Sequence, residues 1–510
     1  MSATDEKLIS SHAESVKRIQ ESVKKFRDEG RHFRIYHGST SSTRPLNFTR
    51  DNIVDVSDMN RLFPVDQATK TVKAEPNVPM DALVAHTLKA GLVPKIVMEF
   101  KGITVGGGYS GMSGESNMHK HGLFQNTVSE IEIVLGDGSL EHASRTVNED
   151  LLEHAGGSLG TFGIVTLLTV ELFDAKKFVN LEITKIDGPE NVVPTFEAAV
   201  ASTPQPEYID GIFYNKAKIV MMTGHISDDA AHPPLKKMQV HWFSAEVEKR
   251  YANLPSTLTM HLEDYLFRFD HGAFWGGNLA FDHFHIPNIA PFRRLADPFL
   301  DSRTCYHALH KTGLADEYVV QDFGVPASNV AAFISYVQDV MPKCQLFLVP
   351  ALSADGMKIS SRMNPLVQAV RTERVYGVGV YGRGPRDAEA FKELNRKLET
   401  KASELLAAKL LYARTYYTHD EFWEIYNKPA YDEVRRKYKA VVVAPPPSDE
   451  AEKNNDAEAD GSKRVIGLPD VYEKLAADMK ARPKRQSIRG VVATVFDKVT
   501  GRKEYLLPKK

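Results

Sequence analysis

Cysteine is nearly missing from these 510 residues: only Cys305 and Cys344 are present. With no CxxC pair and no cluster of His and Cys, neither a disulfide scaffold nor a metal site is indicated, and a reducing compartment fits the chain. Long apolar runs are missing too. No 18 consecutive apolar residues occur, so no membrane-crossing helix is predicted. The opening "MSATDEKLISSHAESVKRIQ" lacks the apolar stretch of a secretory signal, and the closing "LPKK" is not a peroxisomal tripeptide. Nor is there an excess of charge of one sign: 64 Lys and Arg face 66 Asp and Glu, a formal net charge of -2. No global field draws the chain onto nucleic acid. The expectation is a cytoplasmic protein with no nucleic-acid partner, no metal and no membrane span.

What is present is the composition of an ordinary folded protein, 42% hydrophobic and 25% charged. The length is roughly three domains' worth and needs more than one core. Val16, Ile19, Val23 and Phe26 recur at helical spacing, so a helix is predicted over about residues 6–28, ended by Gly30. Short strand-like runs follow: "NIVDVS", "KTVKAEP", "SEIEIVLGDGS" and "FGIVTLLTVEL". The "GDGS" of residues 136–139 reads as a hairpin connection, and "PMDALVAHTLKAGLVP" as a helix capped by Gly91. This is an α+β pattern of small sheets. From about Phe178 a second, α/β region follows, with "GIFYNKAKIVMMTG" and "YGVGVYG" as strands and residues 387–407 as a helix. Residues 441–463, proline-rich and then acidic, read as a disordered loop. The final "RGVVATVFDKVTGRKEYLL" reads as a hairpin around Thr500 and Gly501.

Three small-residue loops carry the functional signal. "TVGGGYSGMSGES" contains Gly106-x-Gly108-x-x-Gly111, the spacing of a nicotinamide-dinucleotide loop. Such a loop should open a helix after Gly111 and be followed about twenty residues later by an acid at a strand end. Here Gly111 is followed by Gly114 and a His-rich polar run, and Glu130 begins a strand, so the nicotinamide reading fails its context. "HGSTSSTRP", residues 37–45, offers successive small residues whose N–H groups can curl around an anion. "GGSLGTFGIVTLLTV", residues 156–170, allows close backbone approach at Gly160 and Gly163 before entering a strand. Each loop taken singly could be only a tight turn or a solvated segment.

In the order "HGSTSSTRP … TVGGGYSGMSGES … HKHGLF … VLGDGS … GSLGTFGIVT", the chain resembles the FAD domain of the vanillyl-alcohol-oxidase, or PCMH-type, flavoproteins. Within them it is similar to the delta-24-sterol reductase branch, through "HKHGLFQ", "GIFYNKAKIVMMTG", "VVQDFGVP", "LYARTYYTHDEFWEIY" and "GLPDVYEKL". The similarity runs over about residues 15–480. It implies an N-terminal helix over residues 1–30, a two-part FAD-binding domain over 31–177 and an α/β substrate domain over 178–410. It further implies a helical segment over 411–480 returning to the FAD domain, with 481–510 as an extension.

The resemblance assigns FAD contacts to Gly38, Ser39, Thr40, Ser41 and Ser42 in the first loop. In the second it assigns Thr104, Val105, Gly106, Gly107, Gly111, Ser113, Glu115 and Ser116, and beyond it His119. Gly160, Gly163, Ile164 and Val165 complete the set, the last two either strand core or a contact to the adenine half. Covalent members tether the flavin to a histidine within the first loop. Here Ser or Thr stands at that position and His37 precedes the glycine, so FAD is expected to be non-covalent. His119 and His121 either brace their loop or stand near the flavin ring, where a donor would stabilise its reduced anion.

The implied reaction is NADPH-driven reduction of an isolated C=C bond in a sterol or terpenoid-like side chain. Hydride delivery to such a bond needs an acid that protonates the neighbouring carbon, held protonated in a dry pocket. The candidates are His271, Asp270 and Tyr208, with Tyr416 and Tyr417 behind them. A nearly insoluble substrate implies a carrier or peripheral contact with the endoplasmic reticulum membrane. The competing readings are an FAD oxidase or dehydrogenase of an alcohol that passes electrons to oxygen, and a non-catalytic scaffold that has kept the fold.

Overall fold

A computed structural model describes residues 3–38, 40–44, 48–235, 242–357, 371–443, 465–480 and 487–499. The helix Ala3–Asp28 packs Val16, Ile19, Val23 and Phe26 against Val54, Val134 and Ile164, as its periodicity requires. Its polar tether is a buried cluster. His12 reaches Glu75 at 2.8 Å through Nδ1 and Glu132 at 3.1 Å through Nε2. Glu75 is 0% exposed and also accepts from Arg61 at 2.6 Å.

Beneath this helix lie two sheets. Arg34–Tyr36 pairs in parallel with Ile53–Asp55. An antiparallel sheet runs in the order Leu62–Asp66, Thr71–Ala74, Ile164–Asp174, Val128–Val134 and Leu140–Ser144, with Leu92–Pro94 paired to the far end of the long strand. Val134 faces Leu140 across the "GDGS" connection, so that hairpin forms as read. The helix Met80–Leu88 closes the sheet, followed by Gly91 at positive φ.

A third sheet has eight strands, in the order Ser256–His261, Phe178–Ile186, Lys218–Ser227, Tyr208–Asn215, Gln345–Ser353, Arg374–Arg383, Tyr318–Pro326 and Ala408–Lys409. Its pairings are antiparallel. The α/β label expected for this region is therefore corrected to α+β: hairpins and helices connect antiparallel neighbours, and no parallel βαβ unit is built among the described residues. Alternation along the strands divides the sheet in two. Leu346, Leu348, Tyr376, Val378, Val380, Val319 and Phe323 pack beneath the helices Val192–Val200, Val330–Val340 and Ala388–Glu404. Phe347, Val349, Gly377, Gly379, Tyr381, Val320 and Asp322 point the other way, into a cavity. Because the side-chain period of a strand is two, one sequence serves both faces.

Two expectations near the end are corrected. Residues 487–499 form a helix, Ser487–Val499, not a strand of a hairpin; Thr500 and Gly501 lie outside the described residues. The valines suggested a strand, yet Gly490, Thr494 and Asp497 fall on one helical face that packs against the helix Ser302–Thr312, and that contact decides the outcome. Val441–Val443, read as the start of a loop, pairs antiparallel with Val465–Gly467, while 444–464 lie outside the described residues.

Candidate active site

A cavity of about 630 Å³ lies between the start of the long strand Ile164–Asp174 and the eight-stranded sheet. Its floor is made by the three loops. In the first, Ser42 Oγ donates to Tyr412 O at 2.7 Å, His310 Nε2 meets Ser42 O at 2.8 Å, and Arg414 Nε donates to Thr43 O at 2.9 Å. Segments 302–312 and 410–415 thereby fix the loop. In the second, the glycine-rich stretch is itself a short helix, Val105–Gly111. Thr104 caps it by accepting from Gly107 N at 3.1 Å. A Cβ on Gly106 would stand 2.6 Å from Pro76 Cβ, so only glycine lets this turn approach the neighbouring chain. The third loop hangs on that helix, with Gly157 N and Leu159 N donating to Tyr109 O and Ser110 O at 3.0 Å each.

Most of the expected cofactor residues meet here. Thr40, Ser41 and Ser42, then Thr104, Gly106, Gly107, Gly111 and Ser113, then Gly160, Gly163, Ile164 and Val165 all line the cavity. His37, Arg44 and Lys474 border the same floor, the last bonded to Leu159 O.

The remaining expected residues are placed elsewhere. Ser39 lies outside the described residues. Gly38 and Val105 are not on the wall; Val105 is fully buried in the core. Glu115 and Ser116 belong to a buried cluster behind the cavity: Glu115 Oε2 accepts from Ser116 Oγ at 2.7 Å, and Arg268 Nη2 stands 3.7 Å from Glu115 and also bonds Asp210. His119 is not on the wall; it meets Pro206 O at 3.1 Å, and burial pushes its ring down to about 4. His121 faces Glu207 at 3.2 Å.

None of the three expected catalytic residues lines the cavity. Tyr208 is 3% exposed with its ring 4.7 Å from that of Tyr265. Asp270 is a loop tie, accepting from Lys101 N at 3.0 Å and Ser302 Oγ at 2.6 Å. His271 lies at the periphery, 3.4 Å from Asp297. Tyr416 and Tyr417 are not on the wall either.

Instead, the wall holds two carboxyls not singled out in the sequence. Asp322 faces Gly379 across the strands, and Tyr381, two residues on, shares that face. Tyr381 donates to Asp322 Oδ1 at 2.7 Å and Tyr412 donates to Asp322 Oδ2. Gly379 makes this possible, since a Cβ there would stand 2.6 Å from the Tyr381 hydroxyl and 2.9 Å from Asp322 Oδ1. Burial pushes the Asp322 carboxyl up to about 6 against the pull of both hydroxyls. Across from it, Glu99 shares a hydrogen bond with Glu115. Burial first, then the charges of Glu115 and Asp322, raise Glu99 well above the ordinary carboxylate range. Glu99 therefore holds its proton more tightly than an ordinary carboxyl. The signal was an acid at the end of the apolar run "IVMEF", and another at a cavity-facing position of "VVQDFGVP". Phe274, Trp275, Phe347 and Val349 supply apolar walls between them, with Trp275 Nε1 donating to Tyr381 O at 2.7 Å.

Residues 11–144 match the family described as FAD binding domain, so the chain carries such a domain. Over most of its length it is similar to Delta(24)-sterol reductases. The human protein is 25% identical over 444 residues, covering 84% of this chain and 83% of its own. The Delta(24)-sterol reductase homolog of Caenorhabditis elegans is 25% identical over 468 residues, 85% of this chain and 86% of its own. A shorter match, 33% identical over 136 residues, joins 26% of this chain to 26% of cytokinin dehydrogenase 4 of Oryza sativa subsp. japonica. The resemblance read from the three loops and the distant motifs stands, and with it the description as a flavoprotein oxidoreductase similar to the sterol reductases.

Proposed function

We propose that this flavoprotein reduces an isolated C=C bond in a sterol or terpenoid-like side chain, with NADPH as electron donor and FAD held non-covalently. In this reading residues 31–177 are a two-part PCMH-type FAD-binding domain and 178–410 the substrate-covering domain. The observation that carries it is the pair Glu99 and Asp322 in the wall of a largely apolar cavity whose floor is the three small-residue loops. The floor fits the cofactor: hydroxyls of Thr40, Ser41 and Ser42 and the backbone of Gly106, Gly107 and Gly160 surround its base. Lys474 and Arg44 bring positive charge for a pyrophosphate. When bound, the flavin supplies hydride transfer and accepts electrons from a nicotinamide donor.

The chain's own residues do the rest. The apolar walls exclude water and hold a hydrocarbon substrate. Glu99, whose buried carboxyl holds its proton more tightly than usual, gives that proton to one alkene carbon. Positive charge develops on the other carbon, which receives the hydride, and the Asp322 carboxylate stabilises that charge in a low-dielectric site. Tyr381 and Tyr412 hold Asp322 in place and keep it ionised at neutral pH.

The test is anaerobic addition of NADPH to FAD-loaded protein, followed by an alkene acceptor, in the parent and in Glu99→Gln. NADPH should bleach the flavin in both, and the acceptor should restore the yellow colour only in the parent. Equal reoxidation of Glu99→Gln would overturn the role of Glu99. A yellow protein that NADPH does not bleach would turn the reading to an alcohol oxidase or dehydrogenase.

A further inference from the structure

Behind the wall that holds Glu99, charge is gathered where water does not reach. Glu115, Ser116, Asp210 and Arg268 are all buried. An isolated buried charge is costly, so such a cluster persists only where its partners are closely matched. The Arg268 guanidinium carbon stands 4.1 Å from the centre of the Tyr265 ring and 4.7 Å from that of Phe269. Its Nη1 donates to Tyr265 O at 3.0 Å, and its Nη2 donates to Ser116 Oγ at 3.2 Å and to Asp210. The cation is thereby fixed in one place, 3.7 Å from Glu115 Oε2.

These hydrogen bonds have a direction. Arg268 carries only donors, so Ser116 Oγ accepts from it and is left to donate to Glu115 Oε2 at 2.7 Å. Ser116 N donates to the same oxygen, also at 2.7 Å. The other oxygen, Glu115 Oε1, is buried and receives no hydrogen bond from an N–H or hydroxyl group among the described residues. The Glu99 carboxyl lies within hydrogen-bonding reach of Glu115. Protonated, Glu99 supplies the missing donor; ionised, it sets two carboxylates against each other in a dry site. The other ionisable neighbours of Glu99 are Asp322, Tyr306, Tyr381 and Tyr412, all on the cavity wall. Those of Glu115 are Asp210, Tyr208 and Tyr265. Arg268, the cation of this group, stands on the Glu115 side.

We propose that Glu99 and Glu115 share a single proton, and that Arg268, by holding Glu115 as its carboxylate, settles that proton on Glu99 at the cavity wall. Glu115 and Arg268 are then positioning residues: neither lines the cavity, and both act through Glu99. The use of this proton on an alkene carbon rests on the reading above; the sharing of it does not.

The experiment is an infrared pH titration of the full chain, following the C=O stretch of a protonated buried carboxyl. In each background the band of Glu99 is isolated as the difference from the same chain carrying Glu99→Gln. In the parent it is expected to persist well above the ordinary glutamate value of about 4.3. In Glu115→Gln it should vanish about one pH unit or more below the parent, because the like charge is gone and the new amide can donate to ionised Glu99. Glu115→Asp keeps the charge and should titrate nearer the parent. A parent band lost at about pH 4.3 would overturn the proposal, and that measurement needs no Glu115 variant to fold. So would Glu115→Gln and Glu115→Asp titrating together, which would make Glu115 a packing residue. No alkene or NADPH is present, so failure here is distinct from failure of the reductase assay.

Discussion

The tether of the first helix should make stability depend on pH in a way that one substitution abolishes. Burial works against charge on His12, but hydrogen bonds and attraction from Glu132 and Glu75 override it and raise the ring to about 9. Its ordinary value is 6.5, so the folded state binds the proton more tightly than the unfolded chain. The contribution is fully present below pH 6.5 and is lost as pH rises through about 9. Linkage between those two values gives about 2–3 kcal/mol at pH 7 and close to nothing at about pH 10. His12→Gln keeps hydrogen-bonding groups beside Glu75 and Glu132 without the charge. Denaturant or thermal unfolding of parent and variant, followed across this range, should show a stability gap at pH 7 that closes by pH 10. The difference between the two proteins cancels titrations elsewhere. A gap of the same size at both ends would refute the argument, because it would make His12 a packing residue only. On the acid side, burial raises and the hydrogen bonds of His12 and Thr166 lower the Glu132 carboxyl, with a net lowering; this contribution is lost as pH falls through that lowered value.

Two further outcomes are expected. Because Asp322 must be ionised to stabilise positive charge, turnover should fall as pH drops through about 6, and Tyr412→Phe, which removes a donor to that carboxylate, should move the limb to higher pH by about one unit; an unmoved limb would assign Tyr412 to packing alone. Lys409, fully buried against Glu399, should not tolerate removal: Lys409→Met leaves the carboxylate unpaired and should lower stability by about 3–5 kcal/mol, with Lys409→Met/Glu399→Leu recovering most of it in a denaturant titration.

The parts of this molecule legible in its sequence are those set by local rules. Periodicity located the helix Ala3–Asp28, "GDGS" located a hairpin, and small residues in three places located the cavity floor. Asp322 was harder to find because cavity position along a strand is a matter of register, and Glu99 because it sits in an irregular connection that only the fold brings to the wall. His271 and Asp270 sit in an aromatic-rich stretch that resembles a site, but its rings pack on one another: Phe269 and Phe274 stack at 4.3 Å. Asp322 looks like one polar residue in a strand until Gly379 is set opposite and Tyr381 two places on. Helix Ser487–Val499 misled for another reason: β-branched residues favour strands, and only the contact of Gly490 with a neighbouring helix decides otherwise.

The two-faced sheet has a bearing on how this protein can change. Leu348, Val378 and Val380 hold the helices, while Phe347, Val349, Gly377 and Gly379 shape the cavity, and the two sets alternate residue by residue in the same strands. Substitutions on the second set can reshape the pocket for a bulkier or shorter hydrocarbon while the packing that keeps the domain folded stays untouched. An inserted or deleted residue within a strand would instead exchange the two sets at once. Lineages of such a protein should therefore diverge in substrate by substitution at alternate positions, and confine changes of length to the connections between strands.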